Sequence, residues 1–270
     1  MISASPSRTL STGKFSSKPF SPNLSKTYQQ KYTYTKTPAE NGGHAVIRAL
    51  VFDLDGTIVQ FSIDYMAVRA EAIQALRELG IPSSLLSMNE PIFDGMKRAE
   101  LYLKNNGESQ ERIEQVRRTV YSIADKHEMN AAKLTSLTPG ALDALRALKE
   151  DGLKLGIFTL NGRLSVDYVL NRFQLKQFFD SIITRDEAPA LKPDPAHLSA
   201  VLKELRVRPE ETAVVGDTVR DMKSARALGA LAIGITTGLA DEKALRRAGA
   251  EHIIDALTEL PQLIRCLNQS

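Results

Sequence analysis

A run of four apolar residues, Ala49 to Phe52, is followed at once by two acidic residues and a glycine: Asp53, Asp55 and Gly56. Such a short apolar run is typical of a strand that is buried on both faces of a parallel sheet. The carboxyl end of the strand then places both acids at the edge where open α/β sheets bind ligands. Because adjacent carboxylates repel each other unless a cation or a proton lies between them, this stretch predicts a functional site.

From residue 138 onward, short apolar runs alternate with amphipathic segments of helical period. Further strands are predicted at residues 153–159, 181–184, 212–216, 231–235 and 251–254. Thr138 is expected to cap the helix before the first of these runs, with Pro139 at the first helical position. This alternation predicts the α/β class, with a doubly wound parallel sheet.

About 75 residues without a strand signal separate the first strand from the alternating region. Helices are predicted from Asp64, after a cap at Asn89 and after a cap at Ser109, each with apolar residues at helical spacing. Three amphipathic helices of this kind form a small bundle. We therefore expect an inserted helical cap over residues 61–135, with an α/β core formed by residues 46–60 and 136–270.

Residues 1–45 are rich in Ser, Thr, Lys and Pro and have neither helical nor strand periodicity. Such a segment buries too little apolar surface to offset its ordering entropy, so we expect a disordered tail. A dispensable tail, a start codon assigned too early with the true start near Val46, a targeting peptide and an interaction arm all fit this composition. We expect the protein in the cytoplasm, or in an organelle if residues 1–45 are a transit peptide.

The basic charge of the chain is concentrated at its N-terminus. Residues 1–47 hold six of the 35 basic side chains and one of the 32 acidic ones, which leaves 29 basic and 31 acidic residues elsewhere. This distribution argues against a nucleic-acid groove on the folded part. No apolar run reaches the roughly 18 residues of a transmembrane helix. The single cysteine, Cys266, excludes an internal disulfide.

Polar residues also lie at the ends of the later predicted strands. Thr159 closes one strand, Lys192 lies in a proline-stiffened loop, and Asp217 and Asp221 follow another strand. Because parallel strands end at one edge of a sheet, these groups are expected to converge on the first two acids. Four carboxylates without a nearby His or Cys suit Mg²⁺, and a hydroxyl with an ammonium suits phosphoryl oxygens. Taken singly, the same residues also fit helix-capping acids, a solvated lysine and an ordinary strand threonine.

Four stretches, in this order, resemble the motifs of the haloacid dehalogenase (HAD) superfamily: Asp53-Leu-Asp55-Gly-Thr57, Thr159, Lys192-Pro193 and Gly216-Asp217-Thr-Val-Arg-Asp221. The resemblance covers nearly all of residues 48–257. The helical insertion after the first motif is similar to the cap of the phosphoglycolate phosphatase and beta-phosphoglucomutase branch. Asn161 resembles an asparagine that often follows the motif threonine, although one residue intervenes here.

The resemblance implies a reaction through an aspartyl-phosphate. Asp53 would attack phosphorus, and Asp55 would protonate the leaving oxygen and then take a proton from the attacking water. Thr159 and Lys192 would bind the phosphoryl oxygens, and Asn161 would assist them. Backbone N–H groups of residues 54–56 would complete the cradle for the phosphoryl group.

The resemblance also implies the metal ligands. Mg²⁺ would be held by the Asp53 carboxylate, the backbone carbonyl of Asp55 and the Asp217 carboxylate. Asp221 would lie near the ion or be bridged to it by water.

The function implied is that of a Mg²⁺-dependent phosphatase acting on a small phosphorylated metabolite of the 2-phosphoglycolate or sugar-phosphate class. A phosphosugar mutase of the beta-phosphoglucomutase type is the first alternative. A catalytically silent binding module is the second, but such a module is expected to lack one of the acids, and all of them are present.

The chain departs from the usual pattern of this branch just after Thr57, where Ile58-Val-Gln-Phe61 follows. That region adjoins the expected substrate pocket, so no specific substrate follows from the resemblance. Four residues of the expected cap are candidates to meet an anionic substrate, although solvated helix faces explain them equally well: Tyr65, Arg69, Lys97 and Arg98.

Overall fold

The apolar run after Arg48 forms a central strand of a parallel sheet. The structure, a computed structural model, describes residues 45–60 and 62–269. Within those residues the strands are β1 (Ala49–Phe52), β2 (Lys154–Phe158), β3 (Ser181–Ile183), β4 (Thr212–Gly216), β5 (Leu231–Ile235) and β6 (His252–Ile254). They form one six-stranded sheet in the order β3-β2-β1-β4-β5-β6, and every neighbouring pair is parallel. The predicted doubly wound α/β class is confirmed.

Three helices follow β1 in the sequence: α1 (Tyr65–Glu78), α2 (Ile92–Asn105) and α3 (Gln110–Leu134). They pack around an apolar cluster that includes Leu76 and Phe93, and residues 62–134 are called the helical insertion below. Asp64 and Ser109 cap α1 and α3, because each side chain accepts hydrogen bonds from backbone N–H groups of the first helical turn.

Six further helices flank the sheet: α4 (Ala141–Glu150), α5 (Arg163–Arg172), α6 (Pro195–Leu205), α7 (Val219–Leu228), α8 (Glu242–Ala248) and α9 (Leu260–Asn268). Successive side chains of a strand point to opposite faces of its sheet. Leu50 and Phe52 accordingly join the core formed with α4, α5 and α9, whereas Ala49 and Val51 join the core formed with α6, α7 and α8. Both faces of the sheet are therefore covered, which leaves its carboxyl edge as the place for a site.

Two predicted helix caps are wrong. Asn89 does not cap α2, which begins after Pro91, because the residue that precedes a proline is disfavoured in helical conformation. Thr138 does not cap α4 either; Gly140 takes that position with φ of +77°, a conformation that interrupts a helix and favours glycine. Helix α9 has no counterpart in the sequence-based prediction.

Two further expectations concern the N-terminal tail and membrane-spanning helices. The disordered tail predicted for residues 1–45 lies outside the described residues, apart from Ala45. In the part of the chain that the structure covers, no helix combines the length and the apolar character that a bilayer crossing requires.

A buried arginine joins the helical insertion to the core. Arg185 lies just after β3, and its fully buried guanidinium forms ion pairs with Asp125 and Glu128 of α3. The guanidinium carbon also lies 5.2 Å from the ring centroid of Phe93 and 4.8 Å from that of Tyr121. The side chain therefore packs between α2 and α3, and its charge is matched by carboxylates on one helix of the insertion.

Replacing Arg185 by Met is expected to lower the free energy of unfolding by about 3–5 kcal/mol, because the buried Glu128 would lose its cation. The measurement is urea-induced unfolding followed by circular dichroism. Arg246→Met serves as the control, since it removes an exposed pair with Glu242 and should cost about 0–1 kcal/mol. Equal midpoints for the two variants would contradict this account of Arg185.

Candidate active site

Three strand ends bring polar residues to one edge of the sheet. Asp53 directly follows β1, Thr159 follows β2, and Asp217 follows β4. In the strand register, Phe52 pairs with both Ile157 and Val215, so these three strands end at nearly the same level of the sheet. The arrangement follows from a central strand with parallel neighbours on both sides.

A cluster of carboxylates lies at this edge. Asp53, Asp217 and Asp221 each offer an oxygen, and these oxygens lie within 4.8 Å of one another. Asp217 and Asp221 are fully buried and Asp53 is nearly so. The side chain of Asp55 is outside this group of three.

The Lys192 ammonium is buried against two of these acids. Its Nζ lies 2.9 Å from Asp53 Oδ1 and 2.6 Å from Asp221 Oδ1, and it sits 3.9 Å from the ring centroid of Phe158. Burial alone lowers the pKa of a lysine, but the attraction of Asp221 and Asp53 outweighs it, so the pKa of Lys192 is raised. The lysine is therefore charged and neutralises part of the cluster.

Asp217 is held in a narrow space between two glycines. A Cβ on Gly56, whose φ is +74°, would lie 2.5 Å from Asp217 Oδ2, and a Cβ on Gly238 would overlap the same carboxylate. Leu239 donates its backbone N–H to Asp217 Oδ2 at 2.8 Å, and Thr57 Oγ1 lies 3.5 Å from Oδ1. The glycines thus allow the backbone to approach the carboxylate closely and fix its orientation.

The backbone N–H groups after Asp53 differ in one detail from the expectation that residues 54–56 donate to a phosphoryl group. Leu54 donates its N–H to Asp53 Oδ1 at 2.8 Å, which orients the carboxylate. Gly56 donates its N–H to the Val59 carbonyl at 2.8 Å. Because the Gly56 N–H is already engaged by the Val59 carbonyl, it is not directed at a phosphoryl group.

Asp55 has a partner on the neighbouring loop. Asn161 Nδ2 donates to Asp55 Oδ2 at 2.5 Å, and the backbone N–H of Asn161 donates to Thr159 Oγ1 at 3.2 Å. Arg185 in turn donates its backbone N–H to the Asn161 carbonyl at 3.0 Å, and Glu128 accepts the N–H of Gly162 at 2.8 Å. The loop that carries Thr159 and Asn161 is therefore held by the core and by the helical insertion together.

Burial and mutual repulsion make it unfavourable for the acids of the site to carry their negative charges. Burial raises the pKa of Asp53 to about 6, that of Asp55 to about 7 and that of Asp217 to about 8. Neighbouring carboxylates add to the effect of burial, and Lys192 offsets only part of it. A set of buried carboxylate oxygens with excess negative charge fits a hard divalent cation such as Mg²⁺.

A cavity of about 380 Å³ lies between the sheet edge and the helical insertion. Six of the seven predicted site residues line it: Asp53, Asp55, Thr159, Asn161, Lys192 and Asp217. Asp221 does not; it lies behind Lys192 and accepts hydrogen bonds from Lys192 and from the N–H and hydroxyl of Thr218. The helical insertion contributes Tyr65, Val68, Arg69, Phe93 and Glu128 to the wall.

Sequence reasoning missed two parts of this site. The loop after β5 supplies Gly238 and Leu239, and the rule of shared strand ends would have found it had the threonines and glycine after Ile235 been given weight. Glu128 also lines the cavity, yet it is one charged residue among many on α3. No sequence signal distinguishes it.

A family model described as haloacid dehalogenase-like hydrolase matches residues 47–229, a range that includes all seven predicted site residues. The chain belongs to this family. It is therefore an enzyme of a hydrolase family, and the resemblance carried by its motifs is confirmed.

The most similar proteins include phosphoglycolate phosphatases. That of Pseudomonas savastanoi is 30% identical over 220 residues, 79% of this chain and 78% of the relative. That of Vibrio vulnificus strain YJ016 is 25% identical over 224 residues, 81% of this chain and 96% of the relative.

Solved structures share the fold. A hydrolase from Pseudomonas syringae superposes with a TM-score of 0.60 at 24% identity, covering 80% of this chain and 97% of that one. A Thermotoga maritima chain named for beta-phosphoglucomutase superposes with a TM-score of 0.55 at 22% identity, covering 81% of this chain and 99% of that one.

The raised pKa of Asp217 predicts how stability depends on pH in the absence of divalent ions. Between its ordinary value of 3.8 and about 8, the folded chain keeps a proton that the unfolded chain loses, so folding stability falls as pH rises. Asp217→Asn removes this penalty. Relative to the wild type, the variant should therefore gain stability between pH 4 and pH 8, on the order of a few kcal/mol.

Urea unfolding with EDTA across this pH range measures the effect, and Asp143→Asn, at an 81% exposed side chain, is the matched control. Adding Mg²⁺ should stabilise the wild type more than Asp217→Asn. A stability difference that does not change with pH would contradict the buried, proton-binding Asp217.

Proposed function

We propose that this phosphoric monoester hydrolase is a Mg²⁺-dependent phosphatase that acts on a small phosphorylated metabolite through an aspartyl-phosphate. One observation carries the proposal: the Asp53 carboxylate faces the cavity, 2.9 Å from the Lys192 ammonium and within the carboxylate cluster that includes Asp217. A nucleophilic carboxylate with a fixed cation beside it is what transfer of a phosphoryl group requires.

In the first step the Asp53 carboxylate attacks phosphorus, and the bond from phosphorus to the leaving oxygen breaks. Asp55 gives its proton to that oxygen; a pKa of about 7 keeps much of Asp55 protonated near neutral pH. In the second step water attacks the aspartyl-phosphate, Asp55 takes a proton from the water, and the Asp53 carboxylate is released with inorganic phosphate.

Four residues bind the phosphoryl group or hold a reacting or binding residue in place in this proposal. Lys192 and the Thr159 hydroxyl bind phosphoryl oxygens, and Lys192 also reduces the repulsion between the phosphoryl group and Asp53. Asn161 orients Asp55 through their 2.5 Å hydrogen bond. Asp221 holds Lys192 in place through their 2.6 Å contact.

The residues proposed to hold Mg²⁺ are Asp53 and Asp217 by their carboxylates and Asp55 by its backbone carbonyl, with Asp221 near or bridged by water. When bound, the ion supplies positive charge that offsets the negative charges of the phosphoryl group and of the cluster. The support for this assignment is the set of ligand atoms. Among the described residues of the cluster, three buried carboxylates are balanced by the single ammonium of Lys192.

The substrate proposed is of the 2-phosphoglycolate or sugar-phosphate class, which rests on the names of the curated relatives and on the size of the cavity. In the same proposal residues 61–135 form a cap over a core of residues 46–60 and 136–270. Residence in the cytoplasm stays a prediction, as does the organelle alternative.

A phosphosugar mutase is the second candidate, favoured by the fold shared with the chain from Thermotoga maritima. A mutase returns the phosphoryl group to the sugar, whereas a phosphatase passes it to water. Phosphorus NMR of the enzyme with glucose 1-phosphate distinguishes them, because a mutase produces an isomeric sugar phosphate and a phosphatase produces inorganic phosphate.

Asp53→Asn is expected to lower phosphate release by at least about 10³-fold, because an amide is a poor nucleophile toward phosphorus. A malachite-green assay measures the release, and circular dichroism checks that the fold persists. Asp143→Asn, on an exposed face of α4, should keep the wild-type rate. Near-normal turnover in Asp53→Asn would refute its assignment as the nucleophile.

Removing divalent ions with EDTA is expected to abolish phosphate release, and excess Mg²⁺ is expected to restore it, because the cluster carries more negative charge than Lys192 balances. The concentration of Mg²⁺ for half-maximal activity should rise in Asp217→Asn. Full activity in EDTA would exclude the metal-dependent mechanism.

A further inference from the structure

The cations that line the cavity differ in whether an acid neutralises them. Lys192 lies between Asp53 and Asp221, and Arg220 forms an ion pair with Asp94 of α2. Arg69 of α1 also lines the cavity. Among the residues that the structure describes, no carboxylate forms an ion pair with Arg69, so its charge is not compensated within the protein.

The guanidinium of Arg69 is held by neutral groups. Its Nη1 donates to the Met88 carbonyl at 3.0 Å, and its central carbon lies 5.9 Å from the ring centroid of Tyr65. Its Nε is buried without a hydrogen-bond partner. A half-buried cation costs free energy unless an anion pairs with it, so this position suits an anion that arrives with a ligand.

Arg69 faces the same space as the acids of the site. Tyr65, one helical turn before it on α1, lines the same cavity, and burial together with the Asp55 and Asp53 carboxylates raises the pKa of its hydroxyl. Arg69 is therefore on the insertion side of the cavity, across from the sheet edge that carries Asp53.

The other basic candidates on the helical insertion are elsewhere. Arg98 is bound to Glu90 and to the Leu85 carbonyl. Lys97 borders a separate depression between α2, α3 and the loop after β3. Of the basic residues of the insertion that the sequence offered for an anionic substrate, Arg69 is the one on the wall of this cavity.

The rest of the wall on that side is mainly apolar, with Ile63, Val68, Ile92 and Phe93. A polyhydroxylated sugar would leave many hydroxyls without partners against such a surface, which is unfavourable. A short organic acid needs one cation and little else. The wall therefore favours an acid over a sugar as the part of the substrate that leaves.

We propose that Arg69 is the specificity residue of this enzyme and binds a carboxylate on the leaving group, so that the substrates are phosphate esters of short hydroxy acids. The proposal rests on the phosphatase activity proposed above. It selects one of the two substrate classes named there and assigns the residue that makes the choice.

Two esters of similar size provide the test: 2-phosphoglycolate, which carries a carboxylate, and 2-hydroxyethyl phosphate, which does not. Arg69→Met should lower the ratio of their kcat/KM values by about 10- to 100-fold, mainly through KM for 2-phosphoglycolate. Arg69→Lys should recover part of the ratio, because it restores the charge but not the planar fork. Arg77→Met, at an exposed position of the same helix, should leave the ratio at its wild-type value.

The ratio is measured within each variant, so a change in the amount of folded protein does not affect it. An unchanged ratio in Arg69→Met would overturn the assignment of Arg69. A loss seen only with fructose 1,6-bisphosphate would overturn the carboxylate in favour of a second phosphate. Failure of the wild type to hydrolyse any of these esters would instead overturn the proposed phosphatase, which is a distinct result.

Discussion

The contact between the Lys192 ammonium and the Asp53 and Asp221 carboxylates is the interaction on which the site depends. Without this cation, three carboxylates with oxygens within 4.8 Å of one another would be buried together, a cost that a fold avoids by taking up protons or by losing structure. With Lys192 present, the cluster still carries more negative than positive charge. Together with burial, this excess raises the pKa values of Asp53 and Asp217. The excess negative charge is what a divalent ion would balance, so the same imbalance that destabilises the carboxylates by themselves favours the binding of such an ion.

The sequence predicts this part of the molecule well because strand ends in a parallel sheet share one edge. Asp53 and Asp217 each follow a buried apolar run directly, so their meeting needs no knowledge of side-chain packing. Lys192 is on a loop, where strand ends give no guide, so the chemistry of an ammonium and the order of the motifs predict its place. The errors fall where local rules compete: Asn89 and Thr138 are good capping residues, but Pro91 and Gly140 determine where the helices begin.

Contacts between the helical insertion and the core were beyond sequence reasoning for a different reason. Arg185 and Glu128 are 57 positions apart, and each is one of many charged residues whose partners depend on how helices pack. The pair is buried, whereas the second bridge, Arg220 with Asp94, has an acid that is 40% exposed. A buried pair restricts geometry more than a solvated one, so the ion pair of Arg185 with Glu128 helps to fix α3 against the core.

Uncompensated charges of opposite sign thus lie on the two sides of one cavity. The sheet edge has more carboxylates than cations, while the wall of the insertion has Arg69 without a carboxylate partner among the described residues. In the proposal made above, a phosphate ester of a hydroxy acid would match both, since its phosphoryl group would bind at the sheet edge and its carboxylate would pair with Arg69. A substrate with a neutral leaving group would bind at the sheet edge through its phosphoryl group and leave the charge of Arg69 uncompensated. The charge that the fold leaves unpaired therefore carries more information about the substrate than the charges it pairs.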